Sequence, residues 1–409
     1  MTNRPTSVCR RRSHPERVSV LTTIDELDDK AVLDLTRRTD TVGVLSVYVN
    51  ADPTGDRNAM AIDLKNRYRE LQRRVTEETP ADRRRDVVAA LDRLGPEVER
   101  LAISTESGRG RVVFAALGAD WMVRLDSQMT VSNRVVLDDA PFVHPLLELL
   151  DEGRTAGVVL ASGDEARLLE WRLGRMQLVT RMQQEEVEAP HERAGPIGGG
   201  QPGQYNTPMM EHRKARERDR AQRFLDRVAE AVAGLTGERR WERTLISGGD
   251  RWTDVLAGKL PEPLRDLVIR DTRVLAGLDD AGLLAAVTER LNAEHAANER
   301  RLLERVRDAG LGQVGALGLS QVTGALNEGR VAHLVYDPEV RYVGAVGADG
   351  TLYADAESGV GGSPHTLEPR LTERLVERAL ATGARVSPIE GAAGEVLSDA
   401  AGIGALLRW

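Results

Sequence analysis

Gly195-Pro196-Ile197-Gly198-Gly199-Gly200-Gln201-Pro202-Gly203-Gln204-Tyr205 leads, three residues later, into Met209-Met210-Glu211-His212-Arg213 and on to Leu235. From Gly195 to Gly203, five glycines and two prolines fill nine positions. Such a stretch has little to bury and few backbone bonds to make, so it predicts a mobile loop. The stretch behind it predicts a long helix. On a 3.6-residue wheel Arg213, Arg216, Arg220, Arg223 and Arg227 fall within roughly 80° of one another. Beside them Ala221, Phe224, Val228, Ala231, Val232 and Leu235 form an apolar stripe that predicts the core-facing side.

The arginine stripe is costly in isolation. Arg216 with Arg220, and Arg223 with Arg227, place like charges at i, i+4, and Asp219 and Asp226 relieve only part of the repulsion. A solvated charged face is the plain reading. A cationic stripe directly behind a glycine loop also suits a polyanion.

Working outward, the 409 residues are too many for one ordinary core, which predicts two or three domains. The net charge of −8 excludes a uniformly basic nucleic-acid binder, so any polyanion contact is local. Besides the arginine helix, Arg4, Arg10, Arg11, Arg12 and Arg17 form a basic patch in a stretch, 1–20, that reads as a disordered arm. Cys9 is the single cysteine, which excludes a disulfide framework and a thiolate zinc site. The sequence shows no secretory signal and no run near the ~20 apolar residues of a membrane span, so a cytoplasmic protein is expected. At 3% aromatic residues, broad base-stacking platforms are not expected.

The pattern along the chain alternates helix and strand, which predicts an α/β protein of three α/β domains. In the first, 21–152, Thr23 caps a helix to Arg38 with Glu26 three residues on. Val44–Val49 is a strand, Ala59–Glu78 and Ala81–Leu94 are helices, and Arg111–Leu117, Trp121–Leu125 and Val135–Leu137 are strands. A helix from Pro145 to Leu150 follows. In the second, 153–274, Ala156–Ala161 is a buried strand. Ala166–Leu173 and Arg175–Arg181 form a hairpin around Gly174. The glycine loop and arginine helix precede a strand at Thr244–Ser247. In the third, 275–409, Asp280–Asp308 is a long charged helix. A helix over Leu319–Glu328, begun near Ser320 and ended by Gly329, precedes a strand at Val331–Tyr336. A hairpin around Asp349-Gly350, a helix at Leu367–Ala381 and a strand at Arg385–Ser387 lead to the ending Gly402-Ile403-Gly404-Ala405-Leu406-Leu407-Arg408-Trp409.

Several chemistries lack their usual marks. There is no H-E-x-x-H, C-x-x-C or G-x-S-x-G, and no metal or cofactor is expected. Gly258-Lys259 lacks the Ser or Thr of a P-loop and reads as a helix end. Gly248-Gly249-Asp250 follows a strand and could cradle a phosphate, although a turn before a helix explains it as well. Gly199-Gly200-Gln201 can do more. Two glycines let the backbone enter a narrow cleft, and a glutamine can offer its N–H to an oxyanion while its side chain confines a water. Such a site hydrolyses an activated ester without His, Cys or metal. An ester at the end of a polyphosphate chain would account for both the tripeptide and the arginine stripe.

The order of these pieces resembles the archaeo-eukaryotic release factors and the rescue factor Pelota, and most closely their bacterial members, whose relatives include Vms-type peptidyl-tRNA hydrolases and the hibernation factor Balon. Val44–Val49 and Gly110-Arg111-Val112-Val113-Phe114 resemble strands of the family's first domain, and Ala156-Gly157-Val158-Val159-Leu160 the opening of its middle domain. Gly199-Gly200-Gln201 falls where the family carries its peptidyl-tRNA hydrolysis loop. Val331–Asp337 and the terminal Gly-Ile-Gly-Ala string resemble its third domain, a ribosomal-protein-like α/β/α sandwich.

The resemblance implies that Gln201 positions the water, that Gly199 and Gly200 permit entry, and that Arg213, Arg216, Arg220, Arg223 and Arg227 contact RNA phosphates. The implied partners are the ribosome, through ribosomal RNA and peptidyl-tRNA, and a delivering translational GTPase, with no DNA and no membrane. No Asn-Ile-Lys-Ser loop or cysteine-containing decoding motif is present. The implied activity is therefore peptidyl-tRNA hydrolysis on stalled ribosomes without stop-codon decoding. Pro202, where the family usually has a small residue with an N–H, biases Gln201 towards extended backbone. That keeps a second expectation, occupancy of the ribosomal A site in hibernation without hydrolysis.

Overall fold

The computed structural model describes residues 18–24, 27, 29–103, 108–184, 206–312, 314–355, 365–391 and 395–409. Among the described residues the fold is mixed α/β with four sheets, and the chain divides into two compact units, Met1–Pro145 and Leu146–Trp409.

The first unit contains β1 (Val18–Thr23), α1 (Asp29–Thr36), β2 (Val44–Asn50), α2 (Arg57–Glu78), α3 (Ala81–Leu101), β3 (Gly110–Ala116), β4 (Trp121–Ser127) and β5 (Arg134–Asp138). Its sheet runs β1-β4-β3-β2-β5, with only the β1–β4 pair parallel. Alternating residues of β2 explain its interior place. Leu45, Val47 and Val49 pack with α2 and α3 through Leu64, Leu71, Leu91, Leu94 and Val98. On the other side of β2, Tyr48 meets Phe114 edge-on at 5.9 Å and donates its hydroxyl to the Phe142 carbonyl at 2.5 Å.

Two sequence expectations fail here. Val18–Thr23 is a strand, so the last residues of the stretch read as a disordered arm are part of a sheet, while 1–17 lie outside the described residues; Thr23 ends a strand instead of capping a helix. Val-Ser-Val-Leu-Thr-Thr is β-branched and suits a sheet edge, a signal masked by the arginines before it. The second failure is α3, which runs past Leu94 through Pro96 to Leu101. Pro96 has no N–H for the carbonyl four residues back. The helix continues because Leu94, Val98 and Leu101 keep its apolar stripe in the core. Arg111, 1% exposed, closes that helix by donating from Nη1 to the carbonyls of Leu101 at 2.5 Å and Ile103 at 2.6 Å.

The second unit follows α4 (His144–Glu152) with β6 (Ala156–Ala161), β7 (Glu165–Arg172), β8 (Arg175–Gln183), α5 (Asn206–Arg239), β9 (Arg243–Ser247), α6 (Asp250–Lys259), α7 (Glu262–Arg265) and β10 (Val268–Asp271). These strands form one sheet, β10-β9-β6-β7-β8, in which β10, β9 and β6 are parallel and β7–β8 is the expected hairpin. Gly157 is required on β6, because a Cβ there would lie 2.1 Å from the Trp241 ring. The rest comprises α8 (Asp280–Leu311), β11 (Gly315–Leu317), α9 (Gly318–Asn327), β12 (Val331–Tyr336), β13 (Gly344–Gly347), β14 (Leu352–Tyr353), β15 (His365–Glu368), α10 (Leu371–Ala381), β16 (Arg385–Pro388) and β17 (Ile403–Leu407). Its sheets are β11-β17-β12-β16 and β14-β13-β15.

Two boundaries differ from expectation. Ser320 lies inside α9, whose cap is Leu317, and Leu367 belongs to β15, so α10 begins only at Leu371. The terminal string is β17. A Cβ on Gly404 would meet Val306 of α8 at 2.5 Å, which is why a glycine stands there.

Helix α8 holds this unit together. At 32 residues it is roughly 48 Å long. Its first half reaches β7, where Trp171 Nε1 donates to Thr288 Oγ1 at 3.0 Å. Its second half places Leu303 and Val306 in the cluster with Val335, Ile389 and Leu397.

A buried polar knot adds a second tie. Asp151 of α4 accepts Arg154 Nε at 2.6 Å, Arg385 Nη2 at 2.9 Å and Ser387 Oγ at 2.7 Å. Glu242 takes the outer sides of Arg154 and Arg385. The Ser387 hydroxyl donates its hydrogen bond to Asp151, so its oxygen accepts the bond from His333 Nε2 at 2.9 Å. Burial works to raise the Asp151 carboxyl, but Arg154, Arg385 and Ser387 outweigh it and hold it well below the usual range. Burial, reinforced by Arg385, pushes His333 down to about 4, so it is neutral near pH 7.

Candidate functional site

Gly199, Gly200 and Gln201 lie outside the described residues, as does the loop 185–205 around them. The helix behind them is α5, longer at both ends than the sequence pattern suggested. Its second half is anchored. Phe224, Leu225, Val228, Ala229 and Val232 pack against Val159, Ala166, Leu168 and Ile246 of the β10-β9-β6-β7-β8 sheet and Leu256 of α6. The expected apolar stripe therefore faces the core. Leu225 and Ala229 widen it beyond the residues read from the sequence.

The first half of α5 is different. Every residue from Lys214 to Asp219 is exposed, and no buried side chain precedes Phe224 among the described residues. Helix here is sustained by propagation from the packed half, since adding a residue to an existing helix is far easier than nucleating one.

The arginines divide in the same way. Arg223 pairs with Asp219 at 2.8 Å, but the two side chains are 70% and 65% exposed, so the pair contributes well under ~1 kcal/mol. Arg227 lies over the Phe224 ring at 5.8 Å and donates to the Gln183 carbonyl at 3.5 Å, joining α5 to the end of β8. Asp226 is taken by Lys259 of α6. Arg216 and Arg220 have no ion pair among the described residues, and Arg216 is exposed while Arg220 is half-buried. The side chain of Arg213 lies outside the described set, although its backbone is helical. Thus Arg216 and Arg220 stand on one face about 6 Å apart along the axis, with their charge unspent.

Two further cations, Lys214 and Arg218, are exposed on α5 and fell outside the stripe read from the sequence. Their signal was the absence of apolar residues between Glu211 and Arg220 except Ala215. A helix segment without a core-facing side leaves every side available.

Two weaker sequence features take their plain readings. Lys259 ends α6, and Gly248-Gly249 is the turn into it. There Ser247 Oγ donates to the Arg273 carbonyl at 2.7 Å. Among the described residues no group of His, Cys, Asp and Glu side chains could hold a metal ion, and no helix is long and apolar enough to cross a membrane.

Residues 141–296, which include the glycine loop, all of α5 and the first half of α8, match the family model described as bacterial archaeo-eukaryotic release factor family 10. Over that stretch the chain is similar to the bacterial archaeo-eukaryotic release factors. The chain also shows similarity to solved structures, three of which follow. One is an archaeal translation termination factor, aRF1, at 15% identity over 95% of this chain and 99% of that one, with a TM-score of 0.25. Another is Pelota of Archaeoglobus fulgidus, at 15% identity over 73% of this chain and 79% of that one, with a TM-score of 0.30. The third is Dom34 of S. cerevisiae, at 8% identity over 73% and 79%, with a TM-score of 0.38. No curated protein matches the chain.

Proposed function

We propose that this release factor relative rescues stalled ribosomes by hydrolysing the peptidyl-tRNA ester, without decoding stop codons. The observation that carries the reading is the first half of α5: a helix exposed over Lys214–Asp219, whose Arg216 and Arg220 have no carboxylate partner among the described residues, directly behind Gly199-Gly200-Gln201. Unspent guanidiniums at helical spacing fit the phosphates of ribosomal or transfer RNA. Gln201 then supplies a backbone N–H to the oxyanion and confines the water, and Gly199 and Gly200 give the loop the slimness that entry requires. No metal enters this chemistry.

The same reading takes 21–152, 153–274 and 275–409 as three domains, places the protein in the cytoplasm and gives it a translational GTPase as delivery partner. Peptide release from stalled ribosomes tests it. Wild type should release peptide, and Gln201→Ala should sediment with ribosomes equally well while releasing little.

One observation favours a second reading. Pro202 restricts Gln201 and removes the N–H that follows it, which suits a factor that occupies the A site in hibernation without hydrolysis. Equal, low release by wild type and Gln201→Ala, with tight binding to empty ribosomes, selects that reading.

A further inference from the structure

On the β10-β9-β6-β7-β8 sheet, Arg167 of β7 and Arg181 of β8 stand directly opposite each other in the hairpin register. Like charges in that position repel. The pair lines a cavity of about 280 Å³ with Leu160, Ser162, Glu165 and Ala276. Arg167 is held from behind, because its Nη2 donates to the Ala276 carbonyl. Arg181 meets Glu165 at 3.4 Å, with the two side chains 54% and 43% exposed, so one carboxylate faces two guanidiniums. The pocket keeps an excess positive charge and two planar donor forks, the geometry that binds a phosphate.

We propose that this pocket is a phosphate site that takes one backbone phosphate of the RNA lying along α5. It rests on the reading of α5 as an RNA-contacting helix and extends that footprint. The volume falls just below the usual range for small-molecule sites, and no aromatic side chain lines it for a base to stack upon. A phosphate therefore enters without its base. The route is short. β8 is the edge strand of its sheet, and Gln183, two residues beyond Arg181, has its carbonyl bonded to Arg227 of α5. A strand of RNA on α5 reaches the pocket by passing over that edge.

The test is ribosome binding by the full-length protein, measured by co-sedimentation across 50–200 mM salt. Arg181→Gln should lower the slope of log affinity against log salt by about one. Glu165→Gln, which frees Arg181, should tighten binding about threefold at the lowest salt. Both side chains are partly exposed, so urea midpoints should match wild type. A structural role for the Arg181–Glu165 pair would weaken both variants alike, and that result overturns the site. Unchanged slopes in both, while Arg216→Glu with Arg220→Glu abolishes binding, also overturn it and leave the α5 reading standing. If wild type does not sediment with ribosomes, the α5 reading fails and the pocket's assignment fails with it. A last arm adds inorganic phosphate and follows the arginine Nε–H resonances. A shift abolished by Arg181→Gln, without any change of salt slope, assigns the pocket to free phosphate and overturns the RNA assignment.

Discussion

The arginines of α5 and those around Asp151 are the same side chain in opposite circumstances. Arg154 and Arg385 converge on a buried carboxylate whose other oxygen is taken by Ser387. Arg216 and Arg220 stand on a helix with no carboxylate among the described residues to meet. In the knot the desolvation of charge is offset by short, directed bonds, so its members are fixed by one another and unavailable to a partner. On α5 little desolvation has occurred, so little has been gained, and the charge remains free for a polyanion. A guanidinium that contributes to stability is thus a poor candidate for binding, and the converse also holds.

That contrast can be broken by substitution. The largest effect belongs to Asp151→Ala, which leaves Arg154 and Arg385 facing each other with only Glu242 between them. It should lower unfolding stability by about 3–5 kcal/mol, read from urea denaturation. A loss below ~1 kcal/mol would show that the knot is no more than a surface pair.

Acid should produce the next largest effect. His333 is held at about 4 in the fold against about 6.5 when unfolded, so between those values the unfolded chain binds more protons and stability falls as pH falls. From pH 7 to pH 5 this costs about 2 kcal/mol. His333→Gln should flatten that part of the pH profile; a profile identical to wild type would deny His333 the role. The depressed Asp151 acts at lower pH, its contribution being present above the normal carboxylate range and lost as pH falls through its own lower value.

On α5 the same measurement should barely move. Arg216→Glu with Arg220→Glu should alter the unfolding free energy by less than about 0.5 kcal/mol, because Arg216 is exposed, Arg220 is half-buried without an ion pair among the described residues, and the like-charge spacing remains. Ribosome affinity should nevertheless collapse. Smallest of all is Asp219→Ala, worth roughly 0.3–0.5 kcal/mol through its exposed pair with Arg223. By releasing Arg223 it should strengthen RNA binding slightly, and weakened binding would contradict that placement.

Much of this was legible in the chain. The apolar runs Val44–Val49, Ala156–Ala161 and Val331–Tyr336 became interior strands, and the Arg175–Arg181 pattern became a hairpin arm. The buried side of α5 followed from Phe224, Val228 and Val232 at helical spacing. Element edges were less legible. Val18–Thr23 depends on a partner, β4, more than 90 residues away, and α3 passes Pro96 only because its far end is packed. The Asp151 knot had no sequence mark at all, since its members come from four separate stretches.

By itself, the sequence settled the local matters: which segments repeat every two residues and which every 3.6, and that five arginines share one side of a helix. Periodicity and charge spacing are properties of neighbours along the chain, so they can be read without coordinates. Only the tertiary structure decided which arginines are spent and which remain free. Pairing depends on distances between residues up to 234 positions apart, as for Asp151 and Arg385, and burial there sets whether a charge stabilises the fold or waits for a partner.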